Sequence, residues 1–143
     1  MVIREHYLKQ IRPFYDSDLI KIITGIRRCG KSVILEQVQD EIKAEGKPCL
    51  FLDFDLKPTR NMIPDADALI DYVDKYIKKE KLYVFLDEIQ NVKEWNEACR
   101  TLRLKNCSVF ISVSMRASCY RCLIAAYTRM VSAIQRCWHL SAQ

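Results

Sequence analysis

The stretch Gly25-Ile26-Arg27-Arg28-Cys29-Gly30-Lys31-Ser32 matches the pattern G-x-x-x-x-G-K-[S/T] in full. Its two glycines allow the backbone to wrap tightly, so that successive N–H groups point inward at phosphate oxygens. The pattern assigns Lys31 to the terminal phosphates and the Ser32 hydroxyl to a bound Mg²⁺. All eight residues are therefore predicted to form a phosphate-binding loop, although Arg27 and Arg28 stand at variable positions where simple solvation is the ordinary role.

The residues on either side of this loop predict a strand before it and a helix after it. Residues 19–24 are mostly apolar and rich in β-branched side chains, which is typical of a buried strand. After the loop, apolar residues recur at helical spacing until Gly46 and Pro48, a pair that typically ends a helix. This order favours phosphate binding, because the positive N-terminal end of the helix then faces the anion.

The rest of the chain continues the alternation of strands and helices. We predict further strands at residues 49–54, 82–86 and 108–113, further helices at 1–14, 67–79 and 95–104, and a loop with two prolines at 55–64. Strands that alternate with helices predict an α/β fold with a doubly wound, mostly parallel sheet. A fifth strand is expected beside the first, but no convincing candidate follows Val113, so the sheet is predicted to be incomplete.

Two carboxylates follow the third predicted strand. Asp87 is expected to lie at the carboxyl edge of the sheet, facing the Mg²⁺ that Ser32 helps to hold. Glu88 is then expected to orient the attacking water and remove its proton, and Lys31 to assist the reaction at the phosphate. A carboxylate beside the metal ligand favours hydrolysis. A small-molecule kinase remains an alternative, whereas a GTPase is disfavoured because the guanine-reading Asn-Lys-x-Asp motif is absent.

A second pair of carboxylates flanks Phe54. Asp53 and Asp55 could act together in catalysis, but charged residues at the end of a strand more often face solvent. We therefore expect this pair to be solvated.

Length and charge limit the class of protein. The chain has 143 residues, enough for one domain with a substantial core, and its longest apolar runs are too short to cross a membrane. We expect a cytoplasmic protein with no membrane partner. The net charge of +5 is uneven, because residues 1–97 carry a balance of −2 and residues 98–143 carry seven basic residues and no acidic one. Such a basic segment can bind nucleic acid.

Three stretches have amino-acid sequences that are more specific than the two motifs alone. They are Ile23-Thr24-Gly25-Ile26-Arg27-Arg28-Cys29-Gly30-Lys31-Ser32, Phe85-Leu86-Asp87-Glu88-Ile89-Gln90-Asn91-Val92 and Glu94-Trp95. They resemble the prokaryotic AAA-family ATPases, in which the ATPase domain is followed by a winged-helix segment and a nuclease-like domain. The resemblance runs from about Ile3 to Ser112. It implies an AAA-type core, ATP and Mg²⁺ as cofactors, and ATP hydrolysis that drives a rearrangement.

The departure from this family begins at Val113. Family members continue the fourth strand into Thr-Gly-Ser-Asn or Ser-Gly-Ser-Asn, whose polar residue senses the γ-phosphate, whereas this chain has Met115 at the Asn position. We therefore divide the chain into a partial P-loop ATPase core, residues 1–113, and a divergent basic tail, residues 114–143, which we expect to be loosely ordered. A shift of reading frame near codon 114 is one hypothesis for this tail. A genuine divergent tail is the other.

Three functional hypotheses follow. The first is Mg-dependent ATP hydrolysis. In related enzymes a neighbouring subunit often supplies an arginine, which is compatible with a homo-oligomer, but no such arginine can be assigned here. The second is a truncated, non-catalytic fragment that binds nucleotide weakly or not at all. The third is nucleic-acid binding through the basic tail, which no motif supports.

Overall fold

The computed structural model describes residues 2–114 and 135–140. Its strands are β1 (Ile20–Gly25), β2 (Cys49–Asp53), β3 (Leu82–Asp87), β4 (Cys107–Ser114) and β5 (Gln135–Leu140). Its helices are α1 (Glu5–Ile11), α2 (Lys31–Ala44), α3 (Lys57–Met62), α4 (Ala66–Asp74) and α5 (Trp95–Arg103), with single 3₁₀ turns at Arg12–Phe14 and Ile89–Asn91.

The five strands form one sheet in the order β2-β3-β4-β1-β5, and every neighbouring pair is parallel. This arrangement confirms the predicted α/β class. Parallel strands are buried on both faces, which explains why β1 and β3 have no exposed residue. Alternate residues of β3 enter two different cores: Val84 joins the core packed by α4 and α5, and Phe85 the core packed by α1 and α2.

The prediction that no strand follows Val113 is wrong. Strand β5 pairs with β1 from Ile20 opposite Gln135 to Gly25 opposite Leu140, so the expected fifth strand is present and the sheet is not incomplete at this edge. Its sequence lacks the β-branched residues that mark central strands. An edge strand needs only a few apolar anchors, and Trp138 and Leu140, two residues apart, are both buried.

The prediction of a loop at residues 55–64 is wrong in part, because helix α3 occupies Lys57–Met62. Pro58 lies in the first turn of this helix, where the missing N–H of proline removes no helical hydrogen bond. Pro64 follows just after the last turn. The two prolines therefore bracket a helix. Helix α4 is shorter than predicted and ends at Asp74, while its start is fixed by Asp65, whose side chain accepts the Ala68 N–H at 2.9 Å.

The proposed boundary between a core and a tail at residues 113 and 114 stays a prediction. The tail, residues 114–143, is expected from its sequence to be loosely ordered. Ser114 lies in β4 and residues 135–140 form β5, whereas residues 115–134 and 141–143, Met115 among them, lie outside the described residues. Within the part of the chain that the structure describes, no helix is both long and apolar enough to cross a membrane.

Candidate nucleotide-binding site

The strand order brings the predicted site residues to one edge of the sheet. Strand β4 lies between β1 and β3, and all three point the same way, so their carboxyl ends are adjacent. The phosphate loop follows β1, Asp87 ends β3, and Ser112 and Ser114 lie at the end of β4. In open parallel sheets, ligands bind in the crevice outside these carboxyl ends.

Both glycines of the loop are required by its shape. Gly30, which precedes α2, has φ of 100°, a backbone conformation that residues with side chains rarely adopt. A Cβ on Gly25 would lie 2.6 Å from the Cys29 sulfur and 2.9 Å from the Leu140 carbonyl oxygen. The second contact is with β5, so the strand at the edge of the sheet lies directly against the start of the loop.

Lys31 is almost fully buried, with 3% of its surface exposed. Its ammonium group donates to the Ile26 carbonyl oxygen at 2.7 Å and lies 3.9 Å from the Cys29 sulfur. One carboxylate oxygen of Glu88 lies 4.0 Å away. The lysine is thus folded back over its own loop, and its charge faces the acidic end of β3.

Ser32 and Asp87 are in direct contact. The Ser32 hydroxyl donates to one carboxylate oxygen of Asp87 at 2.6 Å, and the Ser112 hydroxyl donates to the other. Asp87 is 3% exposed. Burial raises its pKa above the usual range, and the two hydroxyl hydrogen bonds oppose this rise because they stabilise the charged form. The nearby negative charges of Asp53 and Glu88 raise the pKa further.

Glu88 is held by hydrogen bonds on every side. Its backbone is left-handed, with φ of 55°, and its N–H donates to the Ser112 hydroxyl at 2.9 Å. The Ser114 hydroxyl donates to one carboxylate oxygen at 2.7 Å, and the Gln90 amide donates to the other at 2.6 Å. A left-handed residue other than glycine is costly, and such conformations concentrate at functional sites.

The remaining predicted residues lie at the margin of this cluster. The Arg27 side chain is 70% exposed and lies 3.5 Å from the exposed Asp55 carboxylate, a surface pair that contributes little to stability. The Asp53 carboxylate instead accepts the backbone N–H of Asp55 at 2.9 Å. Arg28 has φ of 66° at the turn of the loop.

Sequence reasoning missed the parts played by Gln90, Ser112 and Ser114. A signal was available for the serines, because they occupy alternate positions at the end of β4, directly after the apolar run from Val109 to Ile111. Buried hydroxyl groups need partners, and the nearest partners at that end of the sheet are the two carboxylates. No comparable signal marks Gln90.

The donor set suits a magnesium ion. Ser32 and Asp87 offer hard oxygen ligands, and Mg²⁺ typically takes one or two protein ligands while keeping waters and substrate phosphates. Residues 2–114 and 135–140 contain no group of three or more His, Cys, Asp or Glu residues that could hold a metal ion.

A sequence profile described as "AAA domain" matches residues 17–135. The chain belongs to the AAA domain family. Membership supports a nucleotide-binding, ATPase-type function in general terms. The matched region also includes residues 114–135, which the sequence analysis assigned to a divergent tail.

One relative of this AAA domain is a protein of Haemophilus influenzae described as uncharacterized. The two are 36% identical over 109 residues, which cover 73% of this chain and 27% of the relative. The chain thus spans about a quarter of the length of the relative that it matches.

Solved structures with low sequence identity share the AAA fold. A chain of Drosophila ORC bound to DNA matches with a TM-score of 0.62 at 9% identity, covering 96% of this chain and 89% of that chain. AMPPCP-bound DnaA from Aquifex aeolicus matches at 0.53 and 15% identity, covering 98% and 48%. PCH-2 of C. elegans matches at 0.57 and 12% identity, covering 94% and 40%. At these identities the likeness shows the fold alone.

Proposed function

We propose that this AAA domain binds ATP together with Mg²⁺ and hydrolyses the γ-phosphate. One observation carries the proposal: Ser32 lies 2.6 Å from Asp87 while Lys31 lies 4.0 Å from Glu88. A cation for phosphate, two oxygen ligands for a metal and a carboxylate base therefore meet at one edge of the sheet. Phosphoryl transfer by P-loop proteins depends on this combination.

Lys31 is the phosphate-binding cation in this proposal. Its ammonium group exchanges the Ile26 carbonyl for phosphate oxygens, which accept a charge-assisted hydrogen bond and are therefore stronger partners. The backbone N–H groups of the loop, from Gly25 to Ser32, surround the same anion.

Ser32 and Asp87 hold the metal. Their oxygens now share one proton in a hydrogen bond, so the Ser32 O–H must turn away from Asp87 to free both oxygens. Ser112 keeps its bond to the other carboxylate oxygen and fixes the orientation of Asp87 during this change. Bound Mg²⁺ supplies neutralisation of charge on the phosphates.

Glu88 is the base in this proposal. Gln90 and Ser114 each donate to one of its oxygens, which orients the carboxylate and leaves each oxygen a lone pair that can accept a proton from water. A second candidate function is binding of nucleotide without turnover, because the chain has Met115 where the resembling family has the Asn that senses the γ-phosphate. Nucleic-acid binding through the basic tail remains a hypothesis without a supporting contact.

The first experiment measures nucleotide binding by thermal unfolding with and without Mg-ATP. Ligand at about 100 times its dissociation constant adds about 2.7 kcal/mol of stability, a readable rise in melting temperature. Lys31→Ala is expected to abolish the rise. Lys43→Ala, an exposed lysine of the same helix, is the matched control and is expected to keep it. A rise that survives in Lys31→Ala would refute binding at this loop.

The second experiment separates hydrolysis from binding. Glu88→Gln is expected to keep the Mg-ATP stabilisation and to lower phosphate release by about 100-fold or more, because a positioned base contributes roughly that factor. Glu36→Gln, an exposed glutamate on α2, is the control and is expected to retain wild-type turnover. Wild-type protein that binds ATP yet releases phosphate no faster than Glu88→Gln would favour binding without turnover.

A further inference from the structure

The N-terminal segment lies against the phosphate loop. The guanidinium group of Arg4 lies over Gly30, where a Cβ on the glycine would be 2.6 Å from a terminal nitrogen of Arg4 and 2.8 Å from its central carbon. The arginine thus fills the space that the glycine leaves open, at the point where the loop enters α2.

Two anchors fix Arg4 in this position. Gln37, a buried residue of α2, accepts the Arg4 backbone N–H at 3.0 Å and donates to the Val2 carbonyl oxygen at 2.8 Å. On the other side, the Arg4 carbonyl oxygen accepts the N–H groups of Tyr7 and Leu8 at 3.0 and 3.1 Å, in the first turn of α1. The backbone that carries the guanidinium is therefore held against the same helix whose N-terminus faces the loop.

Arg4 has no ion-pair partner among residues 2–114 and 135–140, whereas Arg12 pairs with Glu5 and Glu41, and Arg27 pairs with Asp55. The Arg4 side chain is exposed. An exposed guanidinium beside a loop built for phosphate, without a carboxylate partner in the described part of the chain, is placed to meet an anion.

We infer that Arg4 binds the phosphate chain of the nucleotide and makes the N-terminal segment part of the site. The inference rests on the proposed function. A guanidinium donates two parallel hydrogen bonds to phosphate oxygens, a geometry that an ammonium cannot reproduce. Nucleotide binding then also tightens the contact between residues 2–4 and α2.

The test compares Arg4→Ala, Arg4→Lys and Arg4→Gln in titrations with Mg-ATP and with inorganic triphosphate. Arg4→Ala is expected to bind both ligands about tenfold more weakly, since one exposed charge-assisted contact is worth about that factor. Arg4→Lys is expected to recover part of the loss, and Arg4→Gln none. Lys9→Ala, an exposed lysine of α1, is the matched control and is expected to bind like wild type.

Three results would overturn the inference. The first is wild-type affinity in Arg4→Ala while Lys31→Ala abolishes binding; the proposed function then stands and this contact fails. The second is a loss for Mg-ATP without a loss for triphosphate, which would assign Arg4 to the base or ribose. The third is a lower melting temperature of Arg4→Ala without nucleotide, with no recovery in Arg4→Lys, which would make the role structural. Wild-type protein that binds neither ligand would refute both proposals.

Discussion

Lys21 is fully buried in strand β1, and Lys21→Met is expected to change the pH dependence of stability. The Lys21 ammonium donates to the Ser108 hydroxyl at 2.6 Å and to the Ser17 carbonyl oxygen at 3.2 Å, and lies 4.5 Å from the centre of the Phe110 ring. Its pKa is lowered from 10.5 to about 7; loss of hydration on burial is the largest cause, the charge of Lys81 contributes in the same direction, and Asp16 and Asp18 oppose the shift.

The sign follows from proton binding. A lowered pKa in the folded state means that, between pH 7 and 10.5, the unfolded chain holds more protons on Lys21 than the folded chain does. The free energy of unfolding therefore rises with pH in this window, by at most about 1.4 kcal/mol per pH unit. Met fills a similar volume without charge, so the variant lacks this contribution.

The measurement is urea unfolding of wild type and Lys21→Met at several pH values between 7.5 and 9.5. The stability of the variant relative to wild type is expected to fall by about 2 to 3 kcal/mol over this range. Loss of the two hydrogen bonds adds an offset that does not change with pH, so the slope alone reports the titration. The exposed control Lys9→Met is expected to show no slope. A difference for Lys21→Met that stays constant across the range would refute a buried, titrating lysine.

Two further predictions concern the site. Asp87→Asn is expected to raise the melting temperature without nucleotide, because burial raises the pKa of Asp87 and its ionised form costs stability at neutral pH. The same variant is expected to lose the further rise in melting temperature that Mg-ATP causes in wild type. A rise with Mg-ATP equal to that of wild type would contradict the metal role of Asp87. Gly25→Ala is expected to cost about 1 to 3 kcal/mol in urea unfolding and to weaken ATP binding, because the added Cβ meets Leu140 and Cys29. At Gly46 an added Cβ meets nothing within 4 Å, but φ is 78°. Gly46→Ala should therefore lower the free energy of unfolding and leave ATP binding unchanged.

The residues whose chemistry is local could be predicted from the sequence. The loop from Gly25 to Ser32 is a continuous stretch whose residue types are set by phosphate binding, so the pattern predicts its shape as well as its ligand. Asp87 and Glu88 could be placed because a strand is buried and apolar until it ends. In both cases a few neighbouring residues contain the whole signal, and the structure brings Lys31, Ser32 and the two carboxylates together.

The contacts that depend on strand order could not be predicted, even where the residues themselves carry a signal. Ser112 and Ser114 reach Asp87 and Glu88 only because β4 lies next to β3, and nothing local in either strand specifies its neighbour. Strand β5 has weak propensity, and its place beside β1 is stabilised by contacts such as that of Trp138 with Phe14, whose ring centres are 5.6 Å apart. Arg4 depends in the same way on how the N-terminal segment packs on α2.

The pairing of β5 with β1 also sets an order of events during synthesis. Thr24 donates to the Trp138 carbonyl oxygen across 114 residues of chain. A ribosome therefore releases the strand that leads into the phosphate loop long before it makes the strand that covers its open edge. Until residues 135–140 emerge, the N–H and C=O groups on that edge of β1 are free to pair with another chain. Strand β5, the last of the five described strands to be made, therefore protects the strand that leads into the phosphate loop.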